Sequence, residues 1–373
     1  MKIFFLTPSV RLLGARQSLL ALATHLPSGV EPLVVCPGMS GLTEELQRSG
    51  VPVEVVPHGA WRKWRGRLTA QFVQLPALHR LARRFGPDVI HCNEYHITPQ
   101  GVWTGGKCGG NVGVTSHIRL GIPRSHVSKY HLDGCSRIAA VSSACKALLD
   151  GTGLEDRTDV IHNGVDVGDL GGRERDRSLR AELGWGEDEL VLGLFGLVSP
   201  RKNQLVAAEA VAQAAARGVP VRLLLAGDPF KSTVEYGESV RARIEAEDLC
   251  GRVRWLPFQK DIARLYGAID VNLLISAEEG FGRTIIEAGA VGAPSIGTRI
   301  GGIPELIREG ETGFLVGEGS ATELADCIVR LWAERDRLAE RGAAARRHVL
   351  ASFTIEAHVA AMMEFWERAR GGA

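Results

Sequence analysis

Short apolar runs and longer amphipathic segments alternate along most of this chain. The apolar runs, such as Leu33-Val34-Val35, are continuous instead of alternating, which is typical of strands that are covered on both faces. A strand followed by a helix, repeated several times, predicts a parallel sheet with helices on both sides. In the first half, the predicted elements lie at residues 2–7, 16–26, 32–36, 42–49, 53–56, 75–85, 89–92, 137–141 and 159–161.

The hydrophobic periodicity stops at residues 165–188, which are rich in Gly, Asp, Arg and Glu. This composition predicts an exposed link followed by one short helix. We therefore expect an N-terminal domain of residues 1–168 and a C-terminal domain of residues 169–354. The tail at 355–373 predicts an amphipathic helix that packs back on the N-terminal domain. Strands of the second domain are predicted at residues 190–195, 221–226, 253–255, 271–275 and 294–296.

Length and composition are those of a globular protein with two domains of ordinary size, because 373 residues exceed one common core. A formal net charge of +1 gives no global field that would attract nucleic acid. The seven cysteines are scattered and never form a C-x-x-C pair, so neither a disulfide framework nor a zinc site is predicted. No apolar stretch has the length of a signal peptide core or a transmembrane helix. We expect a protein of the reducing cytoplasm.

The most informative segment runs from Ser276 to Ala288, where a predicted strand gives way to a helix. Its glycines allow a ligand to approach the main chain, and the start of the helix attracts a diphosphate. Glu279 ends the loop and Glu287 lies about two turns into the helix. Each carboxylate can accept hydrogen bonds from two adjacent sugar hydroxyls. Taken alone, the spacing is weak, because two glutamates on a solvated helix would give the same pattern.

In the company of other segments the spacing becomes specific, because Glu279-Gly280-Phe281-Gly282 with Glu287 resembles the E-x7-E signature of the retaining glycosyltransferases of family 4. That family adopts the GT-B fold, so the resemblance implies two Rossmann-like α/β domains that face each other across a cleft. The C-terminal domain would hold a nucleotide-sugar donor and the N-terminal domain the acceptor. Further segments that agree in order and spacing are Gly14-Ala15, Ser116-His117, Val141-Ser142, 161–166, 226–228, 301–307 and 312–316.

The resemblance also implies roles for individual residues. Lys202 and Arg201 would neutralise the leaving phosphates, Glu279 would bind the hydroxyls of the donor sugar, and His117 would touch the transferred sugar. Glu287 would bind the donor ribose. The other donor-binding residues that the resemblance implies are Gly14, Gly227, Phe258, Gly282, Arg283 and Thr284.

One position departs from the family pattern. In the family an arginine follows the strand-end glycine, whereas here Leu197 follows Gly196. Either Arg201 supplies the missing charge from another direction, or the donor phosphate is held less tightly. A structural role is the competing interpretation for Gly14 and His117. For Lys202 the competing interpretation is a surface charge.

No Asp-x-Asp motif occurs in the chain, so we expect no metal ion and no other cofactor. The predicted activity is a metal-independent, retaining transfer of a hexosyl group to a glycan, lipid-linked or small-molecule acceptor. Two alternatives remain open. A non-hydrolysing sugar-nucleotide epimerase shares the layout and the ligand, and a non-catalytic nucleotide-sugar or glycan-binding protein would tolerate Leu197.

A basic segment precedes the third predicted helix of the first domain, at residues 75–85, and continues into it. The stretch Trp61-Arg62-Lys63-Trp64-Arg65-Gly66-Arg67 and the later Arg80, Arg83 and Arg84 contain no acidic residue. Tryptophans and cations together suit the anionic inner face of a membrane. The competing interpretation is a solvated helix face whose positive rim steers anionic substrates.

Overall fold

The computed structural model describes residues 1–8, 14–59, 74–109, 111–171 and 177–371. The chain divides into two compact units, of which unit 1 comprises Met1–Gly164 with Ile355–Ala373 and unit 2 comprises Val165–Thr354. The division therefore lies between Gly164 and Val165, whereas the sequence predicted it between residues 168 and 169. The C-terminal helix is part of unit 1 although the whole of unit 2 separates it from the other elements of that unit in the sequence.

Unit 1 is built on a seven-stranded parallel sheet. Its strands are β1 (Lys2–Leu6), β2 (Glu31–Cys36), β3 (Val53–Val55), β4 (Val89–Cys92), β5 (Gly113–Ile118), β6 (Arg137–Ala140) and β7 (Thr158–Val160). They lie in the order β3-β2-β1-β4-β5-β6-β7, so the chain reverses its direction of travel across the sheet between β1 and β4. Its helices are α1 (Gly14–Thr24), α2 (Gly41–Arg48), α3 (Leu75–Phe85), α4 (Thr98–Cys108), α5 (Ser125–Lys129), α6 (Ser143–Ala147) and α16 (Ile355–Gly371).

Strand β1 shows why the continuous apolar runs form buried strands. Ile3 and Phe5 pack in a cluster with residues of α1, α2 and α16, while Phe4 and Leu6 pack in a second cluster with α3. All four side chains are fully buried. Successive side chains of a strand point to opposite faces, so a strand covered on both faces needs apolar residues at every position.

Unit 2 is built on a six-stranded parallel sheet. Its strands are β8 (Leu190–Phe195), β9 (Val221–Ala226), β10 (Val253–Leu256), β11 (Val271–Leu274), β12 (Ser295–Thr298) and β13 (Gly313–Val316). They lie in the order β10-β9-β8-β11-β12-β13, with the reversal between β8 and β11. Its helices are α7 (Val167–Gly171), α8 (Ser178–Glu182), α9 (Gln204–Ala216), α10 (Val234–Ile244), α11 (Ile262–Ala268), α12 (Arg283–Ala290), α13 (Ile303–Leu306), α14 (Ala321–Ala333) and α15 (Leu338–Ser352).

The segment before β8 differs from the exposed link with one short helix that its composition predicted. It contains two short helices, α7 and α8, and Leu179, Arg180 and Trp185 are buried. The guanidinium of Arg180 donates through Nη1 to both carboxylate oxygens of Asp270, at 3.1 and 3.0 Å. The charged composition predicted solvated side chains in this segment. Arg180 is buried instead, because its partner Asp270, 90 positions later and just before β11, neutralises its charge. This ion pair fixes α8 to the sheet.

The two sheets confirm the predicted fold class of two Rossmann-like α/β domains, because each has the doubly wound strand order with one reversal. In open sheets of this kind, ligands bind beyond the carboxyl ends of the strands at the reversal. For unit 2 that place is the end of β8 and β11. The candidate site is therefore expected where the loops that follow these two strands meet.

The basic surface predicted for membrane contact is described only in part. Trp61 to Arg67 lie outside the described residues, and Arg84 on α3 pairs with Glu54 at 2.7 Å. Within the described ranges, none of the helices has both the length and the apolar character needed to cross a membrane.

Candidate functional site

Two loops of unit 2 are joined to each other at the carboxyl edge of the sheet. One connects β8 to α9 and the other connects β11 to α12. The amide of Ala277 donates to the carbonyl oxygen of Arg201 at 2.8 Å, and Nδ2 of Asn203 donates to that of Ile275 at 2.8 Å. The Arg201 guanidinium closes the junction by donating to the carbonyl oxygen of Glu278 at 3.0 Å. These bonds hold the residue between Arg201 and Asn203 against the second loop.

That residue is Lys202, and its ammonium group donates to Oε2 of Glu279 at 2.7 Å. Ser276 adds a longer hydroxyl contact of 3.5 Å to the same oxygen. Burial by itself would raise the pKa of Glu279, but the charge and hydrogen bond of Lys202, together with Arg201, outweigh it and lower the pKa below its usual value. Glu279 is therefore ionised at neutral pH. The structure thus brings together Lys202, Arg201 and Glu279, three of the four predicted catalytic residues.

Helix α12 begins beside this pair. Gly282 precedes it with φ +116°, and a Cβ there would lie 2.8 Å from Cδ2 of Leu274, so the position accepts only glycine. The first amides of a helix have no carbonyl partner within it and attract anions. Oγ1 of Thr284 is buried and has no hydrogen-bond partner among the described residues. The start of α12 is therefore able to bind an anionic group such as a phosphate.

Glu287 lies in the same helix and is only 6% exposed. Arg283 donates to its Oε1 from Nε at 3.1 Å and from Nη2 at 3.0 Å, and the hydroxyl of Tyr266 donates to its Oε2 at 2.8 Å. The resemblance implied a diphosphate contact for the backbone amides near Arg283, which stays a prediction, and the Arg283 side chain contacts Glu287. A carboxylate oxygen accepts two hydrogen bonds, so Oε1 is filled by Arg283, while Oε2 accepts one from Tyr266 and keeps capacity for one hydroxyl group of a ligand.

Sequence reasoning missed Tyr266 and Asn203. Tyr266 lies on α11, is 1% exposed, and packs edge-on against Phe195 with ring centroids 5.3 Å apart. A buried tyrosine requires a partner for its hydroxyl, which is the one signal the sequence contains. The partner, 21 residues further along the chain, could not be identified from spacing.

Two glycines of the site are explained by close packing of loops. A Cβ on Gly227, with φ +139°, would lie 1.9 Å from the carbonyl oxygen of Gly196, so the loops after β8 and β9 touch there. A Cβ on Gly301, with φ +54°, would lie 1.8 Å from the carbonyl oxygen of Glu279. Packing accounts for the glycine at 227, and its predicted contact with a donor stays a prediction. Gly301 supports the loop that presents Glu279.

Phe258 and Leu197 follow the carboxyl ends of two strands of the same sheet, β10 and β8, which lie on either side of β9. Phe258 follows β10 and is 49% exposed, a high value for a phenylalanine. Leu197 follows β8 and is half-buried, and its carbonyl oxygen accepts from Nε2 of Gln204 at 3.0 Å. Position 197 therefore contributes no cation to this edge, while Arg201 and Lys202 of the same loop do.

The remaining predicted residues, Gly14 and His117, belong to unit 1. Gly14 begins α1, is exposed, and would meet no atom within 4 Å if it had a Cβ. His117 on β5 is fully buried, and neither ring nitrogen has a partner among the residues that the structure describes. Burial, with the charge of Arg119 nearby, lowers the pKa of His117 well below its usual value, so the ring is neutral. A sugar contact by this buried ring stays a prediction.

Comparison with protein families gives two matches. The sequence model described as Glycosyltransferase Family 4 matches residues 14–169, and the one described as Glycosyl transferases group 1 matches residues 189–334. Curated relatives include the D-inositol 3-phosphate glycosyltransferases of Mycobacterium tuberculosis and Mycobacterium bovis, which are 35% identical over 221 residues. That alignment covers 58% of this chain and 44% of those proteins, so it spans less than half of their length.

Solved structures match nearly the whole chain. HepE of Anabaena in complex with UDP is 25% identical, with a TM-score of 0.86 over 98% of this chain and 100% of that chain. HepE in complex with UDP-glucose gives a TM-score of 0.85 at 25% identity, over 98% and 99% of the two chains. A glycosyltransferase of Rickettsia africae, 22% identical, shares the fold with a TM-score of 0.86 over 100% and 99% of the chains. The chain therefore belongs to the family 4-like glycosyltransferases with the GT-B fold.

Proposed function

We propose that the chain is a retaining hexosyltransferase that takes its sugar from a uridine diphospho-hexose and requires no metal ion. The observation that carries the proposal is the junction of the two loops in unit 2, which places Lys202 on Glu279 beside the start of α12. The HepE structures contain UDP and UDP-glucose, and this supports uridine as the base of the donor.

The positive groups of the site suit the leaving diphosphate. Lys202, Arg201 and the amides at the start of α12 lie on adjoining loops and are held by hydrogen bonds before any ligand binds. Fixed donors that face a developing negative charge contribute about 3–4 kcal/mol each in a water-poor site. This set of cations and amides takes the role that a metal ion has in other transferases, which is why we propose metal independence.

Glu279 is proposed to accept hydrogen bonds from hydroxyl groups of the donor sugar. Its ion pair with Lys202 keeps it charged and in place, which suits a binding group. The resemblance to a retaining family supports attack from the face that the phosphate leaves. In that step the bond between the anomeric carbon and the phosphate oxygen breaks, the bond to the acceptor oxygen forms, and the acceptor hydroxyl gives its proton to the departing phosphate.

The acceptor is proposed to be a glycan, a lipid-linked molecule or a small molecule. The names of the curated relatives place a polyol phosphate, inositol 3-phosphate, first among the compounds to test. A lipid-linked acceptor would instead give the basic segment at Trp61 to Arg67 a function in peripheral contact with a membrane at its cytoplasmic face.

The test is a turnover assay of the full chain with UDP-hexoses and a panel of acceptors, with and without EDTA. The proposal predicts acceptor-dependent release of UDP that EDTA does not change, and a product whose anomeric configuration, determined by proton NMR, equals that of the donor. Loss of activity in EDTA would remove metal independence, and an inverted product would remove retention. Conversion of the donor with no acceptor present would identify an epimerase, and binding without turnover would identify a binding protein.

A further inference from the structure

A buried tyrosine that no motif of the sequence includes contacts the ribose-binding candidate directly. We propose that Tyr266 is a positioning residue for the donor ribose, because it holds the carboxylate of Glu287 in the orientation that accepts the ribose hydroxyls. The inference rests on the proposed function, in which Glu287 binds the ribose. It adds a residue that acts through Glu287 and does not itself touch the ligand.

The two oxygens of Glu287 are held from two different helices. Arg283, on the same helix as Glu287, donates twice to Oε1, and Tyr266, on α11, donates once to Oε2. A carboxylate held at one oxygen can still turn about the bond to its methylene group. The second donor, coming from another element, fixes the plane of the carboxylate and therefore the direction of the lone pair that remains on Oε2 for a ligand.

Tyr266 is itself fixed. Its side chain is 1% exposed and its ring packs edge-on against Phe195, the last residue of β8. Burial, and the neighbouring Glu287 carboxylate, raise the pKa of Tyr266 well above its usual value of 10, so the phenol keeps its proton. As a neutral donor it orients the carboxylate without cancelling its charge, which leaves Oε2 a strong acceptor.

A purely structural role would have a different consequence. If the hydroxyl served only to attach α11 to α12, its removal would lower stability and would affect all ligands of the site equally. If it orients Glu287, the loss of affinity must depend on the ribose hydroxyls, because only they would contact the oriented oxygen, Oε2. A ligand that lacks one of these hydroxyls separates the two roles.

The experiment measures the Kd of UDP and of 2′-deoxy-UDP by calorimetry for the wild type, Tyr266→Phe and a control, Tyr236→Phe. Tyr236 lies on α10 in the same unit, is half-buried, and accepts a hydrogen bond from the amide of Leu205 at 3.2 Å. Tyr266→Phe is expected to weaken UDP binding about tenfold, the effect of one hydrogen bond to a charged group, and to weaken 2′-deoxy-UDP binding less than about twofold. Tyr236→Phe is expected to change neither.

The outcomes separate this inference from the proposed function. If the wild type binds UDP and 2′-deoxy-UDP equally, the assignment of Glu287 to the ribose is wrong and the inference falls with it. A different result is that the wild type binds UDP more tightly while Tyr266→Phe loses the same factor in affinity for both ligands, or loses no affinity. In that case the assignment of Glu287 to the ribose holds and the inference about Tyr266 is overturned. In Glu287→Gln the further change Tyr266→Phe should cost nothing more, because the two residues act as one unit.

A second measurement leaves Tyr266 in place and covers the case in which the Phe variant does not fold. The chain has four tyrosines, so protein labelled with 3-fluorotyrosine gives few fluorine resonances, and Phe variants of the other three identify the signal of position 266. UDP is expected to shift this signal more than 2′-deoxy-UDP does. Equal shifts with both ligands would overturn the inference.

Discussion

Lys202 and Glu279 form an ion pair, which under the proposed function would couple the charge of the leaving group to the binding of the sugar. Lys202→Ala is expected to lower kcat/KM by about a hundredfold or more, the usual effect of removing one fixed donor to a developing charge. It also leaves Glu279 buried without its cation, so burial raises the pKa of that carboxyl. As the pH is lowered, kcat of the variant should therefore begin to fall at a higher pH than kcat of the wild type.

Lys231→Ala serves as the matched control, since Lys231 is an exposed lysine of the same unit. It is expected to leave both kcat/KM and the pH profile unchanged. A Lys202→Ala enzyme within about threefold of the wild type, measured as kcat/KM over the same pH range, would show that the α12 amides and Arg201 carry the leaving group alone.

At the scale of single residues, the sequence predicts the groups that stand in one local segment and misses those that distant segments bring in. Glu279 and Glu287 belong to one loop and helix, whereas the resemblance gave Lys202 and Glu279 separate roles and did not predict their ion pair. Tyr266 reaches Glu287 from another helix, so no spacing predicts it. The backbone amide of Arg283 was predicted to bind the diphosphate, and that stays a prediction. The Arg283 side chain, one helical turn before a carboxylate, pairs with Glu287.

At the scale of elements, the loop between β12 and α13 supports the loop that presents Glu279. Gly301→Ala puts a Cβ where only 1.8 Å separates it from the carbonyl oxygen of Glu279, in a backbone conformation with φ +54°. The loop must move, and Glu279 with it. We expect kcat with a UDP-hexose to fall at least tenfold, about 1.4 kcal/mol, while the Kd of UDP, which lacks the hexose that Glu279 is proposed to bind, changes less.

Gly319→Ala is the control for backbone strain alone. Gly319 also has a positive φ, +68°, but its Cβ would meet no atom within 4 Å. Each substitution costs about 1–2 kcal/mol of backbone strain. Thermal denaturation should therefore show a loss of stability in both variants, with a larger loss for Gly301→Ala because its Cβ also meets the carbonyl oxygen of Glu279. Equal turnover in the two variants would show that Gly301 has no part in placing Glu279.

Elements that are apolar throughout are predicted well, and elements that bury polar side chains are not. Strand β8 matches its predicted bounds because every position is buried, and β9 does so because every position except Arg222 is buried. Strand β5 contains three consecutive polar residues, Thr115, Ser116 and His117, and its pattern predicted no strand. Distant segments provide partners for two of them: Oγ1 of Thr115 lies 2.9 Å from Nδ1 of His91, and Oγ of Ser116 lies 2.7 Å from Oγ1 of Thr98.

At the scale of the molecule, the last helix, α16, belongs to unit 1, and Trp366 makes much of its buried contact there. The indole is fully buried and packs edge-on against Phe5 and His91, with centroids 5.5 and 5.6 Å away. Trp366→Ala is expected to destabilise unit 1 by about 3–5 kcal/mol. Hydrogen exchange should show faster exchange in β1 and β4 and unchanged exchange in β8 and β9.

Trp332→Ala gives a matched loss of an indole from unit 2, where Trp332 is half-buried on α14. It is expected to cost less and to affect the exchange of unit 2 instead. If Trp366→Ala accelerates exchange uniformly over both units, the units do not unfold independently and the division of the chain into two cores has no energetic counterpart.

The same region contains two buried histidines, His91 and His117, and their protonation makes the stability of unit 1 depend on pH. His91 and His117 are fully buried beside each other, and burial, with Arg119 and His358 nearby, lowers the pKa of both well below the usual value. Nδ1 of His91 accepts from the indole of Trp366 at 3.3 Å, which requires that nitrogen to be unprotonated. The folded state therefore excludes protons that the unfolded chain binds.

Because the unfolded histidines titrate near pH 6.5, the stability that these rings contribute is complete above that pH and is lost as the pH falls below it. The free energy of unfolding should fall by up to about 1.4 kcal/mol per pH unit for each histidine between pH 6.5 and 5. His117→Gln removes one titrating ring, so its urea denaturation series should show a slope against pH that is smaller by about one proton than the wild-type slope. An identical slope in the variant would mean that His117 accepts a proton within the folded unit, which its fully buried position argues against.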